Sequence, residues 1–363
     1  MNIAGAFCCA ESDMSKCGNI EQLHDVELAQ AVQKCLRMTP LILWGSGGTV
    51  PCKLPTMQKL AEKLTKSGVG KFTSNNFEQE LGSERYARPD ERRKIRRAIW
   101  DGVYEDDCVA RKTLLEAPEV ANSDIRNHCA AISRMLKTFR TAQPQRLDIV
   151  TTNYDRVLES VAAYYGIPFS DGTGLVDSSR FDVRKFGEKD ILNVIKVHGS
   201  LLWRCDAHDV RVCHDQTCGL EPCIIIPGKN KYHDAFQYPY RELIQYSDSV
   251  IDQAKCVFAY GFGFHDEHIT SKIKRRIYED LPIVVVAKEL SSACLEELKD
   301  ARRAVFIAAK FEDGENRLPP SDGSRAYVRI RGMEEIADSD YFIEGPFWTL
   351  PKFMDLMNMG VRI

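Results

Sequence analysis

Four segments of this sequence carry side chains suited to chemistry. Thr151-Thr152-Asn153-Tyr154-Asp155 sets an amide and a carboxylate two residues apart, and Lys196-Val197-His198-Gly199-Ser200 presents an imidazole. Gly45-Ser46-Gly47-Gly48-Thr49 and Gly261-Phe262-Gly263-Phe264-His265-Asp266 are glycine-rich turns. Glycine turns let backbone N–H groups approach phosphate oxygens closely. An imidazole, with an ordinary pKa of about 6.5, leaves a neutral proton acceptor near neutral pH. Glycine, amide, carboxylate and imidazole together are the composition of a dinucleotide site with a base beside it. Each segment alone also has an ordinary structural reading. The glycine turn can be only a tight turn, Asn153 and Asp155 a turn and a helix N-cap, and His198 a satisfied structural histidine. Gly45-Ser46-Gly47-Gly48-Thr49 is not G-x-G-x-x-G, so it does not announce a dehydrogenase.

What joins the four segments is the element that precedes each. Pro40–Trp44, Leu147–Thr151, Asn193–Val197 and Lys255–Tyr260 are short apolar runs of strand length, and each runs directly into one of the four turns. Cys223–Ile226, Ile283–Ala287, Ala304–Ala308 and Ala326–Ile330 read as further strands. Helical patterns fall at Glu21–Cys35, Met57–Leu64 with Thr56 as N-cap, Tyr154–Tyr165, Tyr240–Ala254, Glu267–Glu279 and Ser291–Arg303. Buried-type strands alternating with helices predict an α/β fold, a Rossmann-like parallel sheet with helices on both faces. Ligands of such sheets sit at the carboxyl ends of the strands, where the four turns fall. Residues 68–145 are rich in charge and helix formers and read as a helical insertion over the sheet. Residues 1–35 read as an N-terminal extension, and residues 36–363 as the dinucleotide-binding domain that carries the four turns.

Composition narrows the function classes. With 363 residues, 44% hydrophobic and 28% charged, the chain can bury a proper core. A formal charge of −3 gives no reason to expect direct sequence-specific nucleic-acid binding. The basic cluster Arg92, Arg93, Lys94, Arg96 and Arg97 reads as a solvated helix face or, alternatively, a partner site. The longest aliphatic runs fall far short of the roughly 20 apolar residues of a membrane helix. The first residues, Met1–Lys16, have no basic stretch ahead of their apolar patch, so no secretory signal is read and a cytoplasmic location is expected. Thirteen cysteines, an odd number without an export signal, then predict reduced thiols rather than a disulfide framework.

In this order the four segments resemble the sirtuin superfamily, and more closely its bacterial anti-phage defence branch. Residues 45–51, GSGGTVP, resemble that family's opening glycine loop, with Ser46 in place of the usual Ala. TTNYD at 151–155 resembles the loop that carries the Asn and Asp of the nicotinamide pocket, and KVHGSLLW at 196–203 the segment with the catalytic histidine. IIPGKNKY at 225–232 and YGFGFHDEHI at 260–269 are similar to sirtuin-like NADases encoded beside a HerA-type ATPase. The resemblance runs from about Leu41 to Ile269 and skips residues 68–145. Deacetylating sirtuins also carry a zinc ribbon with two C-x2-C pairs. Here Cys205, Cys213, Cys218 and Cys223, with His208 and His214, lack that spacing, so structural zinc is set below free thiols.

The resemblance implies an NAD+ hydrolase that releases nicotinamide and ADP-ribose through an oxocarbenium-like state. Asn153 would orient the attacking water, Asp155 would support the nicotinamide carboxamide, and His198 would act as general base. Gly45, Ser46, Gly47 and Thr49 would cradle the pyrophosphate, with Thr152 in the pocket. Gly261 and Gly263 would admit the adenosine, and Phe262 would line its ribose. It further implies NAD depletion in abortive infection, controlled by homo-oligomerisation, by a HerA-like ATPase, or by both. The helical insertion and the aromatics Phe342, Phe347, Trp348 and Phe353 are candidate contact surfaces, or else core. Two other activities fit the scaffold: an NAD-dependent protein deacylase, against which the missing C-x2-C pairs count, and a non-catalytic NAD or ADP-ribose sensor, which would have no need of His198.

Overall fold

Leu41-Ile42-Leu43-Trp44 is apolar at every position, and all four residues are buried. That is the condition for the middle of a parallel sheet covered on both faces. A computed structural model of the chain describes residues 24–359 apart from 73–76, 87, 118–121, 143–145, 175, 188–189, 207–208, 216–217, 229–233 and 313–323. Its strands are β1 (Leu41–Trp44), β2 (Leu147–Thr151), β3 (Phe169–Ser170), β4 (Leu192–Lys196), β5 (Gly199–Asp206), β6 (Asp209–Val212), β7 (Glu221–Ile224), β8 (Val257–Tyr260), β9 (Ile283–Leu290), β10 (Ala304–Phe311), β11 (Arg325–Arg331) and β12 (Ser339–Glu344). Its helices are α1 (24–35), α2 (Met57–Lys66), α3 (Phe77–Leu81), α4 (Pro89–Leu115), α5 (Ser123–Arg140), α6 (Val157–Tyr164), α7 (Tyr240–Gln253), α8 (Glu267–Tyr278), α9 (Ser292–Glu297) and α10 (Leu350–Met359).

Nine strands form the main sheet in the order β12-β11-β10-β9-β8-β1-β2-β4-β3. Every neighbouring pair from β10 to β3 is parallel. Side chains alternate between two apolar layers, as the period of two requires. Ile42, Trp44, Ile149 and Phe258 face the layer built with α1, α2, α4, α5, α6 and α10. Leu41, Leu43, Val150 and Val257 face the layer built with α7, α8 and α9. The fold is therefore an α/β sheet with helices on both faces. Fully burying each such aliphatic side chain contributes roughly 1.5–3 kcal/mol, so the centre of the sheet is a rigid base for the loops at its end. The order also places a switch point beside β1, since the chain leaves β1 toward β2 on one side and returns to β8 on the other. A crevice opens at such a point.

The helices begin where local chemistry directs. Thr56 caps α2 by accepting from the Lys59 N–H at 3.3 Å, and Asn122 caps α5 by accepting from Asp124 and Ile125. The described residues between 68 and 145 fold chiefly as the helices α3 to α5. The Trp100 Nε1–H donates to the Leu201 carbonyl at 2.8 Å, fastening α4 to β5. The basic cluster on α4 makes ion pairs within the chain, while Arg93 and Lys94 stay exposed. Arg92 meets Asp234 at 2.5 Å, Arg93 meets Glu221 at 3.1 Å, Lys94 meets Glu91 at 2.9 Å and Arg97 meets Asp101 at 3.2 Å.

Some expectations change. The strand read at Cys223–Ile226 is β7, and it belongs to a separate antiparallel sheet of order β6-β5-β7. Gly199 turns the chain out of the main sheet with φ +89°, and a Cβ there would lie 2.1 Å from the Cys223 carbonyl oxygen. β11 runs antiparallel to β10, and β12, which the pattern did not suggest, antiparallel to β11. The helix read over Ser291–Arg303 ends at Glu297, although Ser291 caps it by accepting from the Cys294 N–H. Phe347 and Phe353 are buried, and Trp348 packs against the same cluster, so these aromatics are core. Among the described residues no helix is long and apolar enough to cross a membrane.

Candidate active site

The carboxyl ends of β1, β2, β4 and β8 open into one cleft of about 240 Å³. It is lined by Gly45, Ser46 and Thr49 after β1, Thr152–Asp155 after β2, His198 after β4, and Phe262–Asp266 after β8. Leu54, Pro55, Met57, Leu60 and Val103 form an apolar wall, and Glu78, Pro227 and Gly228 complete the rim. Residues separated by as many as 221 positions (Gly45 to Asp266) thus share one concave surface.

The two glycine turns abut. The Gly45 N–H donates to the Tyr260 carbonyl at 3.0 Å, and the Gly47 N–H to the Gly261 carbonyl at 3.1 Å. Gly261 has φ +56°, and a Cβ on it would stand 2.4 Å from the Gly48 nitrogen. Gly47 and Gly261, read from sequence as ligand contacts, do not line the cleft. They let the two turns pack backbone to backbone, which leaves Gly45, Ser46, Thr49, Phe262 and Gly263 at its surface. Beneath the first turn, the His128 Nε2–H of α5 donates to the Gly48 carbonyl at 2.8 Å. Burial lowers the His128 pKa from 6.5 to about 4, so the ring is neutral at neutral pH.

Asn153 is tied to the same turn. Its Nδ2 donates to the Gly45 carbonyl at 3.2 Å and to Thr49 Oγ1 at 3.4 Å. The carboxamide oxygen is then the polar end that remains for a ligand hydroxyl or a water. Thr151 fixes this loop to β1: its hydroxyl donates to the Trp44 carbonyl at 2.7 Å and accepts from the Asn153 N–H at 3.0 Å. Asp155 accepts from the Val157 N–H at 3.1 Å, so it serves the start of α6 as well as the cleft. Burial raises its pKa, with Lys196 pulling the other way. His198 lies across the cleft with its Nε2 3.1 Å from Asp266 Oδ2.

Several supporting residues escaped the sequence reading. Lys196 on β4 is buried and donates from Nζ to the Asp155 carbonyl and, at 2.7 Å, to Glu159 on α6. Asp107 on α4 accepts from the Arg156 backbone N–H and Nε, each at 2.7 Å, with both residues buried. These groups hold the Asn153–Asp155 loop from behind. The one signal in the sequence was an ionisable residue inside an apolar strand, Lys196, facing another, Glu159, on the apolar stripe of α6. Glu78 and the wall residues Met57 and Val103 come from outside the four motifs, and their spacing gave no sign of them.

The four cysteines between residues 205 and 223 form two pairs rather than one cluster. Cys205 and Cys223 hydrogen-bond within the small sheet, and Cys213 pairs with Cys218. Among the described residues no group of three or more His, Cys, Asp or Glu is placed to hold a metal ion. His208 and residues 229–232 of the IIPGKNKY segment lie outside the described residues.

No curated protein matches this chain. Among solved structures it is similar to a Sir2 homologue–NAD complex, with a TM-score of 0.40 and 15% identity over 78% of this chain and 88% of that one. It is likewise similar to a Sir2 bound to acetylated peptide, with a TM-score of 0.40 and 14% identity over 78% and 91% of the two chains. Residues 148–310, which hold Asn153, Asp155, His198 and the turn from Gly261 to Asp266, match the family model described as a SIR2-like domain.

Proposed function

We propose that this protein is an NAD+ hydrolase that cleaves the bond between nicotinamide and ribose, giving nicotinamide and ADP-ribose. The observation that carries this reading is the single cleft at the switch point, where Asn153 and His198 face a common space beside the turn Gly45–Thr49. The match of residues 148–310 to a SIR2-like domain supports it. Ser46, through its hydroxyl and backbone N–H at the surface of the first turn, would hold the pyrophosphate. Asn153 Oδ1 would place a water or a ribose hydroxyl, the apolar wall of Leu54, Met57 and Leu60 would exclude bulk water, and His198 would take the proton. Asp155 would accept from the nicotinamide carboxamide.

The resemblance of GFGFHDEHI at 261–269 to defence NADases extends the proposal to NAD depletion during phage infection, with activity gated by self-assembly or by a HerA-like ATPase. The test is to incubate the purified protein with NAD+, alone, with the ATPase, and with an acetylated peptide. Release of nicotinamide and ADP-ribose without peptide supports the proposal. Consumption that requires the peptide makes the protein a deacylase, and tight binding without turnover under all three conditions makes it a sensor.

A further inference from the structure

His198 and Asp266 come from loops after β4 and β8, strands separated in the sheet by β1 and β2. Their side chains nevertheless meet at 3.1 Å, His198 Nε2 to Asp266 Oδ2, and are 13% and 8% exposed. Asp266 stands at the N-cap of α8, where an aspartate ordinarily accepts from the helix's own first N–H groups. It makes no such side-chain bond. The helix is served by the Asp266 backbone carbonyl, which accepts from Thr270 at 2.8 Å, while the carboxylate turns toward the imidazole. A nearly buried carboxylate turned away from the helix start it could cap is placed for another purpose.

We propose that Asp266 is the positioning residue of the reaction base, an inference that rests on the NAD+ hydrolase reading above. An ionised carboxylate only accepts hydrogen bonds, so Nε2 of a neutral His198 carries the hydrogen and Nδ1 carries the lone pair. Asp266 fixes that tautomer and the ring's orientation, and it stabilises the imidazolium that forms when Nδ1 takes a proton. The balanced step is then as follows. The C–N bond between ribose and nicotinamide breaks with its electron pair going to the nicotinamide nitrogen. A water oxygen bonds to the anomeric carbon, and the proton it loses passes to His198 Nδ1 and on to solvent. The other titratable groups lining this cleft are Glu78 from α3, Tyr154 and Asp155 from the β2 loop, and His265 from the β8 loop. None of them replaces the 3.1 Å contact.

The experiment compares wild type, Asp266→Asn and Asp266→Glu in the full chain, by NAD+ hydrolysis across pH and by nitrogen-15 spectra of the His198 ring. Wild type should show the Nε2–H tautomer, and Asp266→Asn should lose it. In the Asn variant kcat should fall by roughly 10²–10⁴-fold with little change in KM. Asp266→Glu should recover part of the loss. A folded Asp266→Asn with wild-type kcat overturns the proposal, as does an Nδ1–H tautomer in wild type. If wild type hydrolyses no NAD+, the functional reading fails, while the tautomer spectrum still decides the His198–Asp266 pairing. If the Asn variant does not fold, the wild-type spectrum and the Glu variant carry the decision.

Discussion

Acidification should destabilise the fold through His128, by an amount that can be worked from its burial. The ring is 3% exposed and its pKa is lowered from 6.5 to about 4, chiefly by desolvation and against a smaller opposing effect of the Gly48 carbonyl. In the unfolded chain the same ring binds a proton near pH 6.5. Between pH 6.5 and 4 the unfolded state therefore binds more protons than the native state, so stability falls as pH falls through that window. Below about pH 4 both states are protonated and the loss levels off. The difference of about 2.5 pKa units, at about 1.36 kcal/mol each, gives a loss of about 3 kcal/mol. Urea unfolding at pH 7 and pH 4 would measure it, with His128→Gln as the reference, because glutamine keeps an N–H donor and does not titrate. Wild type should lose about 3 kcal/mol more than the variant over this range. Equal losses in the two proteins would refute the reasoning.

Other perturbations separate chemistry from support. Asn153→Ala and His198→Ala should each abolish nicotinamide release while leaving the thermal midpoint near wild type; a folded variant with wild-type turnover would remove that residue from the reaction. Gly261→Ala forces a Cβ to 2.4 Å from the Gly48 nitrogen at φ +56°, so binding of ADP-ribose, followed by calorimetry, should weaken by at least tenfold, about 1.4 kcal/mol. Unchanged affinity would show that the packing of the two turns does not shape the cleft. Asp107→Ala leaves Arg156 buried without its carboxylate and should cost roughly 3–5 kcal/mol in urea unfolding. A cost below about 1 kcal/mol, the level of an exposed pair, would mean that α4 does not brace the Asn153–Asp155 loop.

The parallel sheet was legible because its strands are short, largely apolar runs, and the site because each of its motifs directly follows such a run. Thr56 announced the start of α2 through capping chemistry that is local in sequence. What stayed hidden depends on contacts between distant segments. Cys223–Ile224 has the same apolar character as a main-sheet strand, and only the turn at Gly199 sends it into the small sheet. Gly47 and Gly261 look like ligand contacts in one dimension, yet in space each accommodates the other's backbone. Asp107 lies in the insertion, where no motif marks it, and its importance follows from the partner it meets on the far side of the chain, Arg156. Asp266 read as the end of the second glycine-rich turn, and its contact with His198 required the fold.

The account depends on Asn153 and His198 serving the same nicotinamide riboside. A crystal structure of the protein with a non-hydrolysable carbocyclic NAD+ analogue tests this directly and does not depend on whether turnover needs a partner. The expected result places the ribose ring within hydrogen-bonding distance of both Asn153 and His198, with the pyrophosphate on the turn Gly45–Thr49. An analogue bound elsewhere on the molecule, or one touching only one of those two side chains, would contradict the assignment.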